Sequence, residues 1–173
     1  MKLITPPAME VITMAEASDH LRVSPGSEDA LIYSLIKAAT AWLDGWSGVL
    51  GMALMPQTWE YSLAGFPRGC IRLPLGPVVS VTSITYTDAG GNTQTVDAAD
   101  YSLDGGAVVG TWPYGSAVKV QYVAGEGCPE DMKVVVKLLV GHWYENRVAA
   151  GDKVDAVPMA VDMLVATRRR VGV

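Results

Sequence analysis

The chain has 173 residues, 50% apolar and 18% charged, a balance that is typical of a folded globular protein and excludes a disordered tail. The formal net charge of −5 argues against a general nucleic-acid binder that coats phosphates. No apolar run approaches the roughly 20 residues that span a bilayer, so no transmembrane helix is predicted. Basic charge is concentrated near the C-terminus, where Arg168, Arg169 and Arg170 follow one another on an otherwise acidic chain.

The N-terminus and the two cysteines both favour a cytosolic origin. Residues 1–7 are too few, and too soon interrupted by proline, to form a signal peptide. Cys70 and Cys128 are a lone pair in a chain of this size, which favours two free thiols over a disulfide. We therefore expect the protein to be made in the cytoplasm.

Residues 1–56 are predicted to form an N-terminal helical part. Thr13 and Glu16 make a capping-box pattern that opens a short helix. Ser27 is the expected N-cap of a longer helix, which Gly48 and Gly51 should end. The apolar residues of this second helix recur at helical spacing and form one wide face: Leu31, Ile32, Leu35, Ile36, Ala39, Trp42, Leu43 and Trp46.

Residues 57–124 change to the two-residue period of β-strands. Trp59, Tyr61 and Leu63 alternate with polar residues, as in a half-buried strand. A turn at residues 88–92 should join two further strands into a hairpin. We expect an antiparallel sheet or barrel inserted between the helices. The remaining strands are predicted in five runs: residues 79–86, 93–96, 101–103, 108–109 and 118–122.

Residues 125–173 return to a helical pattern and complete the helical part with a tail. Pro129 suits a first helical position, and two acidic residues follow it where the helix dipole favours them. The run 132–147 is apolar on most of its circumference, so it must be covered on more than one side, and a neighbouring subunit is one source of that cover. The predicted fold class is α+β: a small helical bundle with an inserted antiparallel β-sheet or barrel, forming one structural unit.

Groups suited to catalysis are sparse. His20 and His142 are the imidazoles available as bases, and His20 lies among charged residues on a short amphipathic helix, which indicates a solvated surface position. Cys128 precedes a helix, a place that can lower a thiol pKa, but its acidic neighbours oppose thiolate formation. We therefore predict no catalytic residue and no enzyme activity.

Cofactor and metal signatures are also weak. Gly125 and Gly127 fall between a strand and a helix, but Glu130 occupies the place of the third glycine of a dinucleotide fingerprint. A tight turn explains these glycines better. His142 and Glu145 are three apart on a helix without a matching pair elsewhere. No cofactor and no metal ligand are predicted.

The basic run Arg168, Arg169 and Arg170 has two interpretations that the residues leave open. It can dock on an acidic partner surface or contact DNA phosphates. Alternatively, it is the solvated end of a helix, where basic residues interact favourably with the last carbonyl groups.

Several strings extend in order over nearly the whole chain: Ala15-Glu16-Ala17, His20-Leu21-Arg22, residues 28–39, Gln57-Thr58-Trp59, residues 66–74, residues 77–81, Tyr122-Val123-Ala124-Gly125, His142-Trp143-Tyr144-Glu145-Asn146-Arg147, Val157-Pro158 and residues 164–168. In this order they resemble the head–tail connector (adaptor) family of long-tailed phages. The resemblance implies a structural virion protein that forms a ring, usually twelvefold, beneath the portal. It implies a neck location, assembly in the bacterial host cytoplasm and no membrane contact.

The resemblance also implies partners. The C-terminal segment should reach the portal protein, which assigns Arg168, Arg169 and Arg170 to portal docking. The opposite face should receive a stopper or another tail-side neck protein. DNA should pass through the channel without specific binding, and an acidic lumen suits that passage.

A subunit interface is predicted at the end of the long C-terminal helix, at Trp143, Tyr144 and Arg147. Glu145 and Arg147 are two apart and point to different helix faces, so they cannot pair with each other. We expect Arg147 to pair across the interface.

Two alternatives to the connector function stay open. The protein could be another neck component, such as the stopper, or a cytosolic ligand-binding domain built on the β region.

Overall fold

The computed structural model describes residues 1–24, 26, 28–146 and 159–169, and the chain divides into two compact units. The sheet unit comprises Met1–Ala8 and Met55–Glu126 and contains the described strands. The helical unit comprises Met9–Leu54 and the described residues from Gly127 onward and contains the described α-helices. The predicted α+β class is confirmed. The grouping of all three predicted parts into one structural unit stays a prediction.

The described strands form two open antiparallel sheets. The larger sheet has the strand order β1-β2-β8-β4-β5 and the smaller has β3-β7-β6, and neither closes into a barrel within the described residues. The sequence pattern leaves open whether the β region is an antiparallel sheet or a barrel, and the structure contains antiparallel sheets. The strands are β1 (Lys2–Thr5), β2 (Gln57–Gly65), β3 (Ile71–Arg72), β4 (Val78–Thr87), β5 (Thr93–Thr95), β6 (Tyr101–Asp104), β7 (Ala107–Gly110) and β8 (Ser116–Ala124).

Strand β8 lies at the centre of the larger sheet and supplies much of its buried surface. Val118, Val120 and Tyr122 alternate along the strand and are all fully buried, as the two-residue period requires. The Tyr122 hydroxyl accepts a hydrogen bond from the Leu75 N–H at 3.3 Å. Burial raises the pKa of Tyr122 to about 12, so this phenol stays neutral in the core.

The predicted hairpin between β4 and β5 is confirmed. Asp88 organises its turn, because its Oδ1 accepts hydrogen bonds from the N–H groups of Gly90 at 2.8 Å and Asn92 at 2.9 Å. Hydrogen bonds from the Gln94 side chain and from these backbone groups lower the pKa of the Asp88 carboxyl. A local side-chain-to-backbone motif of this kind is readable from sequence.

Strand β1 was not predicted. It pairs with β2, with Leu3 opposite Trp59, and all four of its residues are exposed. Four residues followed by two prolines carry little strand signal, so the pairing with β2 decides their conformation.

The capping box at the first helix, α1 (Met14–Leu21), is confirmed. The Thr13 N–H donates to Glu16 Oε2 at 2.8 Å, and the Glu16 N–H donates to Thr13 Oγ1 at 3.2 Å. The helix ends at Arg22, which adopts left-handed backbone with φ 57°. Both ends of α1 are therefore set by residues next to it in sequence.

The second helix, α2 (Asp29–Leu43), is shorter than predicted. Its N-cap is Glu28, whereas the predicted cap, Ser27, lies outside the described residues. It ends before Asp44, whose backbone is extended and whose carboxylate accepts a hydrogen bond from the Leu54 N–H at 2.6 Å. The extension of the helix to Gly48 was wrong, and Trp46 lies beyond the helix with 53% of its surface exposed.

The remaining helices are α3 (Glu130–Glu145) and α4 (Met159–Arg168). Helix α3 buries Met132, Val135, Val136, Leu139 and Val140 and packs against α1, α2 and α4. Within the residues that the structure describes, no helix has the length and apolarity needed to cross a membrane.

Candidate partner-binding surfaces

Helix α4 carries two apolar rows on different faces. Val161 and Val165 are buried within the helical unit, where α4 packs on α3. Met159 and Met163 are 78% and 67% exposed. Residues four apart lie on one face of a helix, and 159 and 161 are separated by about 200° of rotation. One face of α4 therefore packs on the chain itself, and another presents methionines to solvent.

A bidentate ion pair holds the end of α4 against the first turn of α3. Arg168 Nε donates to Asp131 Oδ2 at 2.9 Å, and an Arg168 terminal nitrogen donates to Asp131 Oδ1 at 3.2 Å. The guanidinium fork matches both carboxylate oxygens, which favours this one geometry. Both side chains are partly exposed, so the pair orients α4 more than it stabilises the fold.

The three arginines predicted to dock on the portal differ in their surroundings. Arg168 is engaged by Asp131 within the chain. Arg169 is exposed, and its N–H closes the last turn onto the Val165 carbonyl oxygen at 2.9 Å. Arg170 lies outside the described residues. The docking assignment of all three stays a prediction, and Arg168 would have to exchange its partner in order to serve it.

Two of the three predicted subunit-interface residues lie at the end of α3. Trp143 and Tyr144 are both half-buried. The Tyr144 hydroxyl donates a hydrogen bond to the Glu28 carboxylate, which joins the end of α3 to the start of α2. Arg147 lies outside the described residues, so its proposed pairing is untested. Tyr144 therefore has a role within the helical unit whether or not it meets another subunit.

The cover for α3 comes largely from its own chain. Helices α1, α2 and α4 surround it, and Lys137 reaches Glu16 of α1 at 3.3 Å. Val134 stays 47% exposed on the remaining face. The apolar circumference that suggested a neighbouring subunit is mostly explained by packing within the helical unit.

Cys128 is a protonated thiol at neutral pH. Burial is the main cause that raises its pKa to about 12, and the acidic side chains of Asp131, Asp44 and Glu130 act in the same direction, whereas Lys133 opposes them. Acidic neighbours were the expected cause of a raised thiol pKa, but the larger cause is desolvation. A thiol with this pKa is a poor nucleophile. Both Cys70 and Cys128 are free.

The glycines before α3 form a tight turn. Gly125 and Gly127 have φ of +95° and +126°, a region that favours glycine. A Cβ at Gly125 would overlap the backbone carbonyl of Met55. The Gly125 N–H donates to the Pro77 carbonyl oxygen at 2.8 Å, so backbone packing accounts for this glycine without a phosphate ligand.

No group of three His, Cys, Asp or Glu side chains converges into a possible metal site among the described residues. His142 lies next to Asn146, whose Nδ2 is 3.4 Å from His142 Nδ1 and donates to the His142 carbonyl oxygen at 2.8 Å. These contacts with Asn146 explain the position of His142 at the end of α3 without a metal ion.

Sequence reasoning missed two kinds of residue. The first are the acidic partners Asp131 and Glu28, neither of which was predicted to bind a side chain of another helix. The second is an aromatic and acidic cavity in the sheet unit that includes Trp112 and Asp100. A signal for the cavity was present, because residues 73–118 contain four aspartates and no lysine or arginine.

Comparison with known proteins decides the family. A family model described as "Head completion protein" matches residues 10–155, which is most of the chain. The chain belongs to the head completion protein family. No curated protein sequence matches this head completion protein significantly.

Two solved structures are similar over the full length. One is a chain from the virion of a native gene transfer agent (GTA) particle, with 28% identity and a TM-score of 0.77, covering 100% of this chain and 97% of that chain. The other is a chain from the neck of an empty GTA particle computed with C6 symmetry, with the same 28% identity, TM-score of 0.77 and coverage. The predicted class, a structural protein of a phage-type virion neck, is confirmed.

Proposed function

We propose that this head completion protein is the adaptor subunit of the neck, forming a homo-oligomeric ring between the portal and the tail-side neck proteins. The observation that carries the proposal is the helical unit, in which α2 and α3 are 15 and 16 residues long and α4 presents a second, exposed apolar face. Stoppers of the resembled phage necks tend to be smaller β-barrels without long flanking helices. The described strands form open sheets, which favours the adaptor.

Cyclic symmetry supports the ring. The similar GTA neck was computed with C6 symmetry. A twelvefold ring contains sixfold symmetry as a subgroup, so a twelvefold adaptor is compatible with a reconstruction of that kind. Closed rings are built from heterologous contacts between two different surfaces of each subunit. Trp143, Tyr144 and Arg147 remain our proposed contribution to one of these surfaces.

Portal docking is assigned to α4 and the residues after it. The exposed Met159 and Met163 offer an adaptable apolar row, and Arg169 adds an exposed positive charge at the end of the helix. An amphipathic helix with this pattern suits insertion into an apolar groove that has an acidic rim. Arg168 positions the helix through Asp131, and Arg170 completes the basic run.

Passage of DNA requires weak contact with phosphates. The formal net charge of −5 opposes phosphate binding, and the aspartates of residues 73–118 place negative charge without nearby basic residues in sequence. We propose that DNA passes the ring without specific binding. We also propose that the protein is not an enzyme, because the protonated Cys128 thiol and the structural glycines leave no assembled chemistry at the positions considered.

An adaptor and a stopper differ in the order in which they bind to the portal, and this order can be measured. The full-length protein is mixed with the purified portal encoded in the same gene cluster, and the complex is measured by size-exclusion chromatography with light scattering. An adaptor binds the portal directly. A stopper binds only after another neck protein has been added, and that result would overturn the adaptor assignment.

The α4 surface is tested in the same assay. Met163→Glu places a charge in the exposed apolar row and should weaken portal binding. Met163→Leu keeps the row apolar at the same position, should bind the portal normally and serves as the matched control. Equal binding by both variants would remove α4 from the portal interface without affecting the order-of-binding result.

A further inference from the structure

The sheet unit contains an open cavity of about 410 Å³ that no predicted role of the protein uses. Its size falls within the range of small ligand sites, which are usually several hundred cubic ångströms. The lining combines aromatic, hydroxyl, carboxylate and aliphatic groups: Tyr86, Thr95, Val96, Asp97, Asp100, Thr111, Trp112 and Pro113.

The aromatic wall is held rigidly. The Trp112 ring stacks on Phe66 with centroids 5.3 Å apart and planes at 8°, and Phe66 meets Tyr86 edge-on at 5.4 Å. The Trp112 Nε1–H donates to the Gly69 carbonyl oxygen at 2.6 Å. Trp112 is thus fixed on one face and at its polar edge, so the wall is preformed.

The acidic part of the wall consists of two aspartates, Asp97 and Asp100. Asp97 Oδ1 accepts a hydrogen bond from the Ala99 N–H at 2.9 Å, which fixes the orientation of its carboxylate. Neither Asp97 nor Asp100 forms an ion pair with any residue in the part of the chain that the structure describes. A recess lined by charge of one sign concentrates ions of the opposite sign.

An exposed tyrosine follows the cavity in sequence. Tyr114 is 93% exposed, directly after the lining residue Pro113. A Cβ at Gly115 would overlap the Tyr86 ring, so this loop is closely packed against the aromatic cluster. Tyrosine is one of the residues enriched among those that contribute most to binding at protein interfaces.

We propose that this cavity binds an arginine side chain presented by a partner protein. A guanidinium stacks on tryptophan and tyrosine and pairs with carboxylates, so it matches both kinds of group in the lining. Tyr114 would add apolar contact beside the inserted side chain. The negative charge opposes nucleic acid, and the inference is independent of which neck position the protein occupies.

The test titrates the ¹⁵N-labelled full-length protein with a tetra-arginine amide peptide as the probe and follows the Trp112 indole N–H signal by NMR. Trp112→Phe identifies the signal by removing it. Saturable shifts are expected with the arginine peptide and none with a tetra-glutamate peptide. Asp100→Asn should weaken the binding about fivefold, the size expected for the loss of one solvent-exposed ion pair.

Asp104→Asn is the matched control, because Asp104 is an exposed aspartate of the same region that does not line the cavity. It should change the affinity less than twofold. No saturable shift, or equal weakening by both substitutions, would overturn the proposal. A Trp112 shift that depends on protein concentration without peptide would assign the cavity to a second copy and would overturn it as well. The NMR spectra of both variants report directly that the fold is intact.

Discussion

The helical unit and the sheet unit differ in whether their polar surface side chains have partners within the chain. In the helical unit, residues predicted to contact partners are engaged within the chain: Arg168 binds Asp131, and Tyr144 binds Glu28. In the sheet unit, predicted only as an insertion, Asp97 and Asp100 have no ion-pair partner among the described residues, and Tyr114 is almost fully exposed.

A basic or aromatic residue at the end of a helix therefore has to be assessed together with its acidic neighbours in the fold. Arg168 and Tyr144 position helices first, and a role at an interface would come second. The helical unit does present an exposed apolar surface in the methionine row of α4, Met159 and Met163.

Packing in the helical unit is tested by Leu139→Ala. Leu139 is fully buried in α3, so its truncation should lower the free energy of unfolding by about 2–5 kcal/mol. Val134→Ala is the control on the same helix, because Val134 is 47% exposed, and it should cost under about 1 kcal/mol. Urea denaturation measures both. Similar losses in both variants would mean that α3 is covered on the Val134 face too, as a subunit interface in solution would require.

Backbone geometry in the sheet unit is tested by Gly125→Ala. The positive φ and the overlap with Met55 predict a loss of about 1–3 kcal/mol in thermal unfolding. Gly69→Ala is the control, because a Cβ there meets nothing and its φ is not in the left-handed region. Unchanged stability of Gly125→Ala would contradict the tight turn and reopen the glycines as a ligand loop.

The capping box gives a smaller effect that depends on pH. Thr13→Ala should cost about 1 kcal/mol. Hydrogen bonds from the Thr13 backbone and side chain hold the pKa of Glu16 below its ordinary value of 4.5. The carboxylate therefore stabilises the fold above that pH, and its contribution is lost as pH falls through the lower folded pKa. The stability difference between wild type and Glu16→Gln, measured by urea titration from pH 6 to pH 3, should shrink below pH 4.5. A constant difference would contradict this assignment.

The Arg168–Asp131 pair should give the smallest stability effect. A double-mutant cycle of Arg168→Ala and Asp131→Ala should show coupling of about 0.2–1 kcal/mol, because both groups are partly exposed. Amide hydrogen exchange in α4 should rise in either single variant. Unchanged exchange would show that Val161 and Val165 alone hold the helix.

Local chemistry made part of this fold readable from sequence. Thr13 with Glu16, and the turn at Asp88, act over a few residues and were predicted correctly. Strand β1 and the early end of α2 depend on β2 and on the Asp44–Leu54 hydrogen bond, which propensity does not encode. The α+β class follows from the spacing of apolar residues along the chain, and errors at single element ends do not change that spacing.

The candidate site was less predictable because its contacts join distant residues. Arg168 meets Asp131 across 37 positions, and Tyr144 meets Glu28 across 116. The cavity in the sheet unit combines residues from β4 to the loop before β8. A sequence shows the charges and rings, but the fold decides which of them meet.

The most direct test of the adaptor assignment is the subunit count of the complex between the full-length protein and its portal, measured by native mass spectrometry. We expect a single ring of twelve copies on an intact portal, formed without any other neck protein. Absence of a complex with the portal intact, or a complex that requires a further neck protein, would contradict the adaptor role and place this head completion protein at a later position in the neck.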